Sequence, residues 1–253
     1  MSKKIVAISL IITLLAVFLT GCTVEDMQQR ELDRSGIWGS FVGILSDMID
    51  NIANAINSNE NIYSYGLSIL IVTVIIRFIT LPFMLKQLKS TRAMQKIQPE
   101  MDALKEKYKT NQEKLNQETM KLFQKHNVNP MAGCLPLFVQ MPILIAFYQS
   151  IMYNEHIRAA TFLFFELGQK DGTYILPVLA AATTYLQQKT TMVSGNNNPQ
   201  LKMMLYFMPF MILFISSTLP SALSLYWFYG NIFSIVQNLF LYRDSGQKQE
   251  GAS

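Results

Sequence analysis

One residue is chemically at odds with its surroundings. Arg77 stands inside SILIVTVIIRFITLPFML, a run that is otherwise apolar apart from a few hydroxyls. A cation at the centre of a membrane-crossing helix costs on the order of 3 kcal/mol on insertion scales, so it marks a functional site by default. Snorkelling relieves it only in part, because Arg77 lies nine residues before Lys86, about 13 Å along a helix. None of the chain's five long apolar segments contains Asp or Glu. The guanidinium therefore has no intramembrane counter-ion in its own chain; it must be hydrated, or meet a carboxylate brought by another molecule.

The polar residues of these segments are patterned. At 100° per residue, Thr73, Arg77 and Thr80 share one stripe of the first segment, and Ser224, Trp227, Asn231, Ser234 and Asn238 share one stripe of the last. The third segment offers Thr183, Thr184, Gln187 and Gln188, and the second offers Gln140. Two readings stand. Small and amide side chains glue membrane helices together; with an unpaired arginine on one stripe, a shared water-filled cavity becomes the better account, since hydrocarbon would leave them unsatisfied. Either way the chemistry is attraction and hydration of an acidic group, not bond-making. His126 and His156 lie outside the segments, and there is no intramembrane Asp pair. With no GxxxxGK or GxGxxG motif and no Cys/His cluster, neither proteolysis nor nucleotide hydrolysis is expected, and no cofactor or metal. Two similar halves, the mark of many secondary transporters, are missing too.

The elements that must carry these residues are helices in lipid. Of 253 residues, 50% are hydrophobic and 15% charged, against about 25% charged in a soluble domain. Spanning takes about 20 apolar residues, and five segments qualify or nearly so: 62–84, 134–154, 173–188, 203–219 and 221–242, with a tight turn at Pro220 joining the last two. The 85–133 segment carries Lys86, Lys89, Arg92, Lys96, Lys105, Lys107, Lys109, Lys114, Lys121 and Lys125. Lys189, Lys202, Arg243 and Lys248 fall on the same side, against Arg30, Arg34, Arg158 and Lys170 on the other. The positive-inside rule puts 85–133 and the 243–253 tail in the cytoplasm. Within 85–133, Met94, Ile97, Met101, Leu104 and Tyr108, then Leu115, Thr119, Leu122 and His126, recur at three and four, which predicts two helices joined at Thr110–Gln112. Pro99 suits a first helical turn or would kink the helix. The basic residues of this hairpin are a solvated face or a contact for anionic headgroups, RNA or an acidic nascent chain.

The N-terminus reads as a processing signal. Lys3 and Lys4, an apolar stretch from Ile5 to Phe18, and Leu19-Thr20-Gly21-Cys22 have the layout of a signal peptide. The final four residues resemble a bacterial lipobox, with 1–21 removed and Cys22 lipid-modified. Two acyl signals would anchor the 22–61 segment stably on the outer face. In that segment Ile37, Phe41, Leu45, Met48, Ile52 and Ile56 predict an amphipathic helix lying on the membrane surface. The expected fold is thus an all-α membrane protein: five transmembrane helices, a cytoplasmic helical hairpin and an outer amphipathic helix.

Three stretches, IIRFITLPFMLKQLKSTRAMQKIQPEM, NPMAGCLPLFVQMPILIAFYQS and LSLYWFYGNIFSIVQ, resemble the YidC/Oxa/Alb family of membrane protein insertases, over roughly residues 60–242. The lipobox and the short segment before the first span are similar to the Gram-positive type. The resemblance implies a hydrophilic groove open to cytoplasm and lipid, lined by Arg77, Thr73, Gln140, Thr184, Gln187, Trp227 and Asn231. In it Arg77 attracts the acidic tail of a substrate without ATP hydrolysis. It also implies nascent membrane proteins, some lipoproteins among them, as partners rather than small molecules. Lys86, Lys89, Arg92, Lys96, Lys105, Lys107 and Lys109 would be hairpin contacts, and the Sec translocon, ribosome, signal-recognition pathway and anionic lipids further partners. The tail, YRDSGQKQEGAS, is short where some members carry a long basic ribosome-binding extension. An anion channel or carrier with Arg77 as its filter is the alternative, and a scaffold lipoprotein the third.

Overall fold

The computed structural model describes residues 32–56, 63–128, 135–191 and 199–250. The 1–21 segment, Cys22 and Cys134 lie outside them. In chain order the elements are α1 (Ile37–Ile56), α2 (Ser64–Lys96), α3 (Gln98–Lys107), α4 (Gln112–Lys125), α5 (Leu135–Tyr153), α6 (Glu155–Ala159), β1 (Thr161–Phe162), β2 (Phe165–Glu166), α7 (Ile175–Thr191), α8 (Pro199–Thr218) and α9 (Ser221–Glu250). The fold is mostly helical. Among the described residues, the all-α reading is broken by a small antiparallel hairpin, with Thr161 opposite Glu166 and Phe162 opposite Phe165, and by an isolated bridge between Lys170 and Pro220. The hairpin's turn residue Leu163 adopts the left-handed conformation at φ 59, so four residues suffice to reverse the chain.

Among the described residues, Ser64–Met94 of α2 is the one stretch long and apolar enough to cross a membrane, and Leu205–Thr218 is apolar but shorter. Proline sits inside α2, α5 and α8 at Pro82, Pro142 and Pro209. Each is a position that removes a helical hydrogen bond. α7 packs on α8 and α9, α9 also on α2, and α1 lies across α2 and α5. α8 turns Met203, Tyr206, Phe207, Phe210 and Phe214 outward. Such a patch would be a liability in water and is ordinary in hydrocarbon.

The main core joins Val42, Leu45 and Ile49 of α1 to Ile69 and Val72 of α2, Phe147 and Ile151 of α5, and Leu223 and Tyr226 of α9. Here the structure corrects the sequence-derived face of α1. The buried side is Val42, Leu45, Ser46, Ile49 and Ala53, whereas Ile37 is 94% exposed and Phe41 is exposed too. The helix has apolar residues on more than one side, and the buried side also carries Gly39 and Gly43, which lie against Asp33 and Arg34 of the preceding segment.

α2 runs past the expected end of the first span without a break and stops only at Ile97. Pro99 then opens α3, within its first two positions, where a missing N–H costs nothing. Asn111 caps α4, its side chain accepting from the Lys114 N–H at 3.0 Å. Ile97, Leu122, Phe123 and Val128 form a second small core with Ala93 and Met94 of α2, which fixes the α3–α4 pair to the far end of α2.

Candidate functional site

Arg77 lies mid-way along α2, roughly 20 Å from its start at 1.5 Å per residue. It is partly buried and faces α9. Its guanidinium lies over Gly230, so close that a Cβ there would strike Nη2. One turn earlier on α9, Tyr226 is buried, within electrostatic reach of Arg77, and its hydroxyl accepts a 2.7 Å hydrogen bond from Gln140 Nε2 of α5. A T-shaped contact between Phe78 and Phe233, centroids 5.4 Å apart, clamps α2 and α9 alongside. Among the described residues no carboxylate pairs with the Arg77 guanidinium.

The other expected groove residues are brought together elsewhere. Asn231 follows Gly230, so it points about 100° round the helix and meets α7. Its Nδ2 donates to Thr184 Oγ1 at 2.8 Å, to Thr183 Oγ1 at 3.2 Å and to the Ala180 carbonyl at 3.3 Å. Asn238 Nδ2 reaches Thr190 Oγ1 at 3.2 Å, whose hydroxyl donates to the Gln187 carbonyl. Ser224 and Ser216 share a hydrogen bond of 2.6 Å between α9 and α8. Thr73 is buried and turns its hydroxyl back onto the Ile69 carbonyl of its own helix at 2.6 Å, and Thr80 does the same to Ile76 at 2.8 Å. Trp227 is half-buried against the main core. The last-span stripe is therefore largely helix-to-helix bonding, while Arg77, Gln140, Tyr226 and Gly230 make a separate group. Sequence reasoning missed Tyr226 and Gly230. A tyrosine in an aromatic-rich helix carries no distinguishing signal, and a glycine's role depends on what lies opposite it.

Both ends of the bundle hold charges with partners. At the α1 end Asp50 accepts from Tyr65 Oη at 3.1 Å and from Asn154 Nδ2 at 2.5 Å, and Asn154 Nδ2 also donates to Ser46 Oγ. Arg34 grips Asp47 with two hydrogen bonds of 2.8 and 2.9 Å, which hold the Asp47 carboxyl below its ordinary value. At the other end, Lys105 pairs with Asp102, Lys109 with Glu106 and Lys121 with Glu118. Lys107 and Lys114 lie over the Tyr108 ring. His126 Nε2 lies 2.9 Å from Glu100, and that hydrogen bond, with Lys125 nearby, lowers the Glu100 carboxyl. Of the three hairpin lysines singled out as contacts, Lys105 on α3 and Lys109 just after it are thus paired locally. Lys86, Lys89, Arg92 and Lys96 sit on α2, towards its hairpin end.

Fold and site define a class, an α-helical membrane protein whose arginine-bearing long helix packs on its last helix. The comparisons agree. A family model described as 60Kd inner membrane protein matches residues 57–249. Membrane protein insertase YidC 2 of Bacillus anthracis is 51% identical over 243 residues, covering 94% of this chain and 92% of that one. Membrane protein insertase MisCA of Bacillus subtilis is 47% identical, covering 92% and 90%. A solved structure, an active YidC insertase crystal structure with its first transmembrane domain resolved, is similar at a TM-score of 0.61 and 25% identity over 82% of this chain. The chain spans about half the length of that protein, 47%. The chain belongs to the YidC/Oxa/Alb family of membrane protein insertases.

Proposed function

We propose that this protein inserts membrane proteins into the bilayer by offering Arg77 to acidic residues on the substrate's translocated tail. The observation that carries the reading is the partly buried guanidinium between α2 and α9 with no carboxylate among the described residues. A charge kept in a membrane at such cost, and not neutralised at home, is kept for a visiting partner. In this reading α2, α5, α7, α8 and α9 cross the bilayer, with α3–α4 in the cytoplasm and α1 outside behind a lipidated Cys22. Thr73, Gln140, Thr184, Gln187, Trp227 and Asn231 line or support the path. The substrate's tail is hydrated partway across, and its apolar span then slides into lipid between α2 and α9. Burial of about 20 apolar residues drives the step, so nucleotide hydrolysis is not required. An inside-negative potential adds about 2.3 kcal/mol per acidic charge per 100 mV.

Lys86, Lys89, Arg92 and Lys96 continue α2 beyond the apolar stretch and suit anionic headgroups or an incoming chain. Sec, ribosome and signal-recognition contacts would be made from the same side through α3–α4. Reconstitution into nucleotide-free liposomes tests the function. Protease protection of a single-span substrate should appear only with the protein present, and anion efflux should stay at the level of empty vesicles. Efflux without protection would establish the channel reading instead.

A further inference from the structure

Resting on the insertase reading, we infer that Gly230 is a positioning residue for the Arg77 guanidinium. A Cβ built on Gly230 meets three atoms before any other, and all three belong to that side chain: Nη2, in collision, then Cζ at 3.2 Å and Nε at 3.3 Å. Glycines in membrane helices commonly let two backbones approach; here the space is taken by a charged side-chain end. Glycine is less favourable than alanine inside a helix, and Gly230 lies in the interior of the 30-residue α9. On the same face one turn earlier, buried Tyr226 is held by a hydrogen bond from Gln140 of α5. The guanidinium is thus seated over a hydrogen atom, with its remaining directions left to an incoming carboxylate. What a methyl group would meet is the end of a flexible side chain, so Gly230→Ala should move the guanidinium rather than separate the helices. The ammonium of a lysine at 77, lacking the planar fork, should not sense the methyl.

The test is initial insertion rate in liposomes for two substrates that differ only in an Asp-bearing or Asn-bearing outer tail. Melting temperature of the full-length protein is followed in parallel. Gly230→Ala should keep its melting temperature, slow the Asp-tailed substrate roughly tenfold, as expected of a misplaced binding group, and leave the Asn-tailed one unchanged. In the Arg77→Lys background, Gly230→Ala should change neither rate. If Gly230→Ala fails to fold alone but folds with Arg77→Lys, the clash is with the guanidinium and the inference holds. Wild-type rates for Gly230→Ala, in an assay where Arg77→Ala slows the Asp-tailed substrate, would overturn it and leave the insertase reading standing. Equal slowing of both substrates in both backgrounds would overturn it in favour of helix packing. Indifference of the Asp-tailed substrate to Arg77→Ala would remove the reading itself and this inference with it.

Discussion

Two polar regions lie along α2, about 18 Å apart at 1.5 Å per residue, and they are built on opposite principles. Around Tyr65, both carboxylates of α1 are engaged: Asp50 accepts from Tyr65 and Asn154, and Arg34 holds Asp47 in a two-pronged grip. Around Arg77, the neighbours are a phenol engaged by Gln140, a glycine that yields space, and two phenylalanine rings. The first region fastens α1 to the bundle. The second leaves a cation with no anion among the described residues. On the proposed insertase reading, the difference is that charge is structural where it is saturated and left for a substrate where it is not.

Charge reversal breaks the contrast most severely. Arg77→Glu should abolish insertion of acidic-tailed substrates, whereas Arg77→Lys should retain part of it by keeping the charge; equal activity of the Glu variant would end the electrostatic account. Next comes Asp50→Ala, which takes the acceptor from the Tyr65 hydroxyl and leaves the Asn154 amide with Ser46 alone. It should lower stability by about 1–3 kcal/mol, read in thermal melts, with no change in preference between acidic and neutral tails. A shift in that preference would show that the two regions are not separate. Asn231→Leu removes the α9–α7 hydrogen bonds, and membrane-helix bonds of this kind average about 0.6 kcal/mol with a maximum near 1.7. A modest loss of melting temperature is expected; a collapse of tail selectivity would move Asn231 into the Arg77 group.

The smallest effect concerns pH at the hairpin end. The Glu100 and Glu118 carboxyls are lowered from 4.5 by hydrogen bonds from His126 and Lys121 respectively. A depressed carboxyl contributes stability in full above its unfolded value and loses it as pH falls through the folded one. Hydrogen-exchange protection in α3–α4 should therefore hold from about pH 7 to about 5 and decline below about 4. Loss of protection on going from about pH 7 upward would contradict this, since both carboxyls are fully charged there.

Much of this contrast was legible in the sequence, and for definite reasons. The absence of Asp and Glu from all five apolar segments is a matter of composition, so Arg77 stood out before any packing was known. Proline and asparagine fixed the ends of α3 and α4 through chemistry local to Pro99 and Asn111. What stayed hidden depended on neighbours. The stripe Ser224, Trp227, Asn231, Ser234 and Asn238 is real as a stripe, but spacing cannot say that Asn231 meets Thr184 rather than a water-filled groove. The apolar side of α1 was legible only in part: Leu45, Met48 and Ile52 pack on the core, whereas Ile37 and Phe41 are exposed and Val42 and Ile49 are buried in their stead. Lys105 and Lys109 each follow an acidic residue by three positions, Asp102 and Glu106, but spacing alone does not say that these pairs close.

The central claim is that Arg77 serves a visiting carboxylate, and the most direct measurement is the dependence of insertion rate on tail charge, with and without the guanidinium. Purified protein and its Arg77→Ala variant would be compared in the same nucleotide-free liposomes, on substrates whose outer tails carry Asp, Asn or Lys at one fixed position. The account predicts that the wild type ranks them Asp, Asn, Lys from fastest to slowest, and that Arg77→Ala slows the Asp substrate until it matches the Asn one. Retention of the full Asp preference by Arg77→Ala would contradict it.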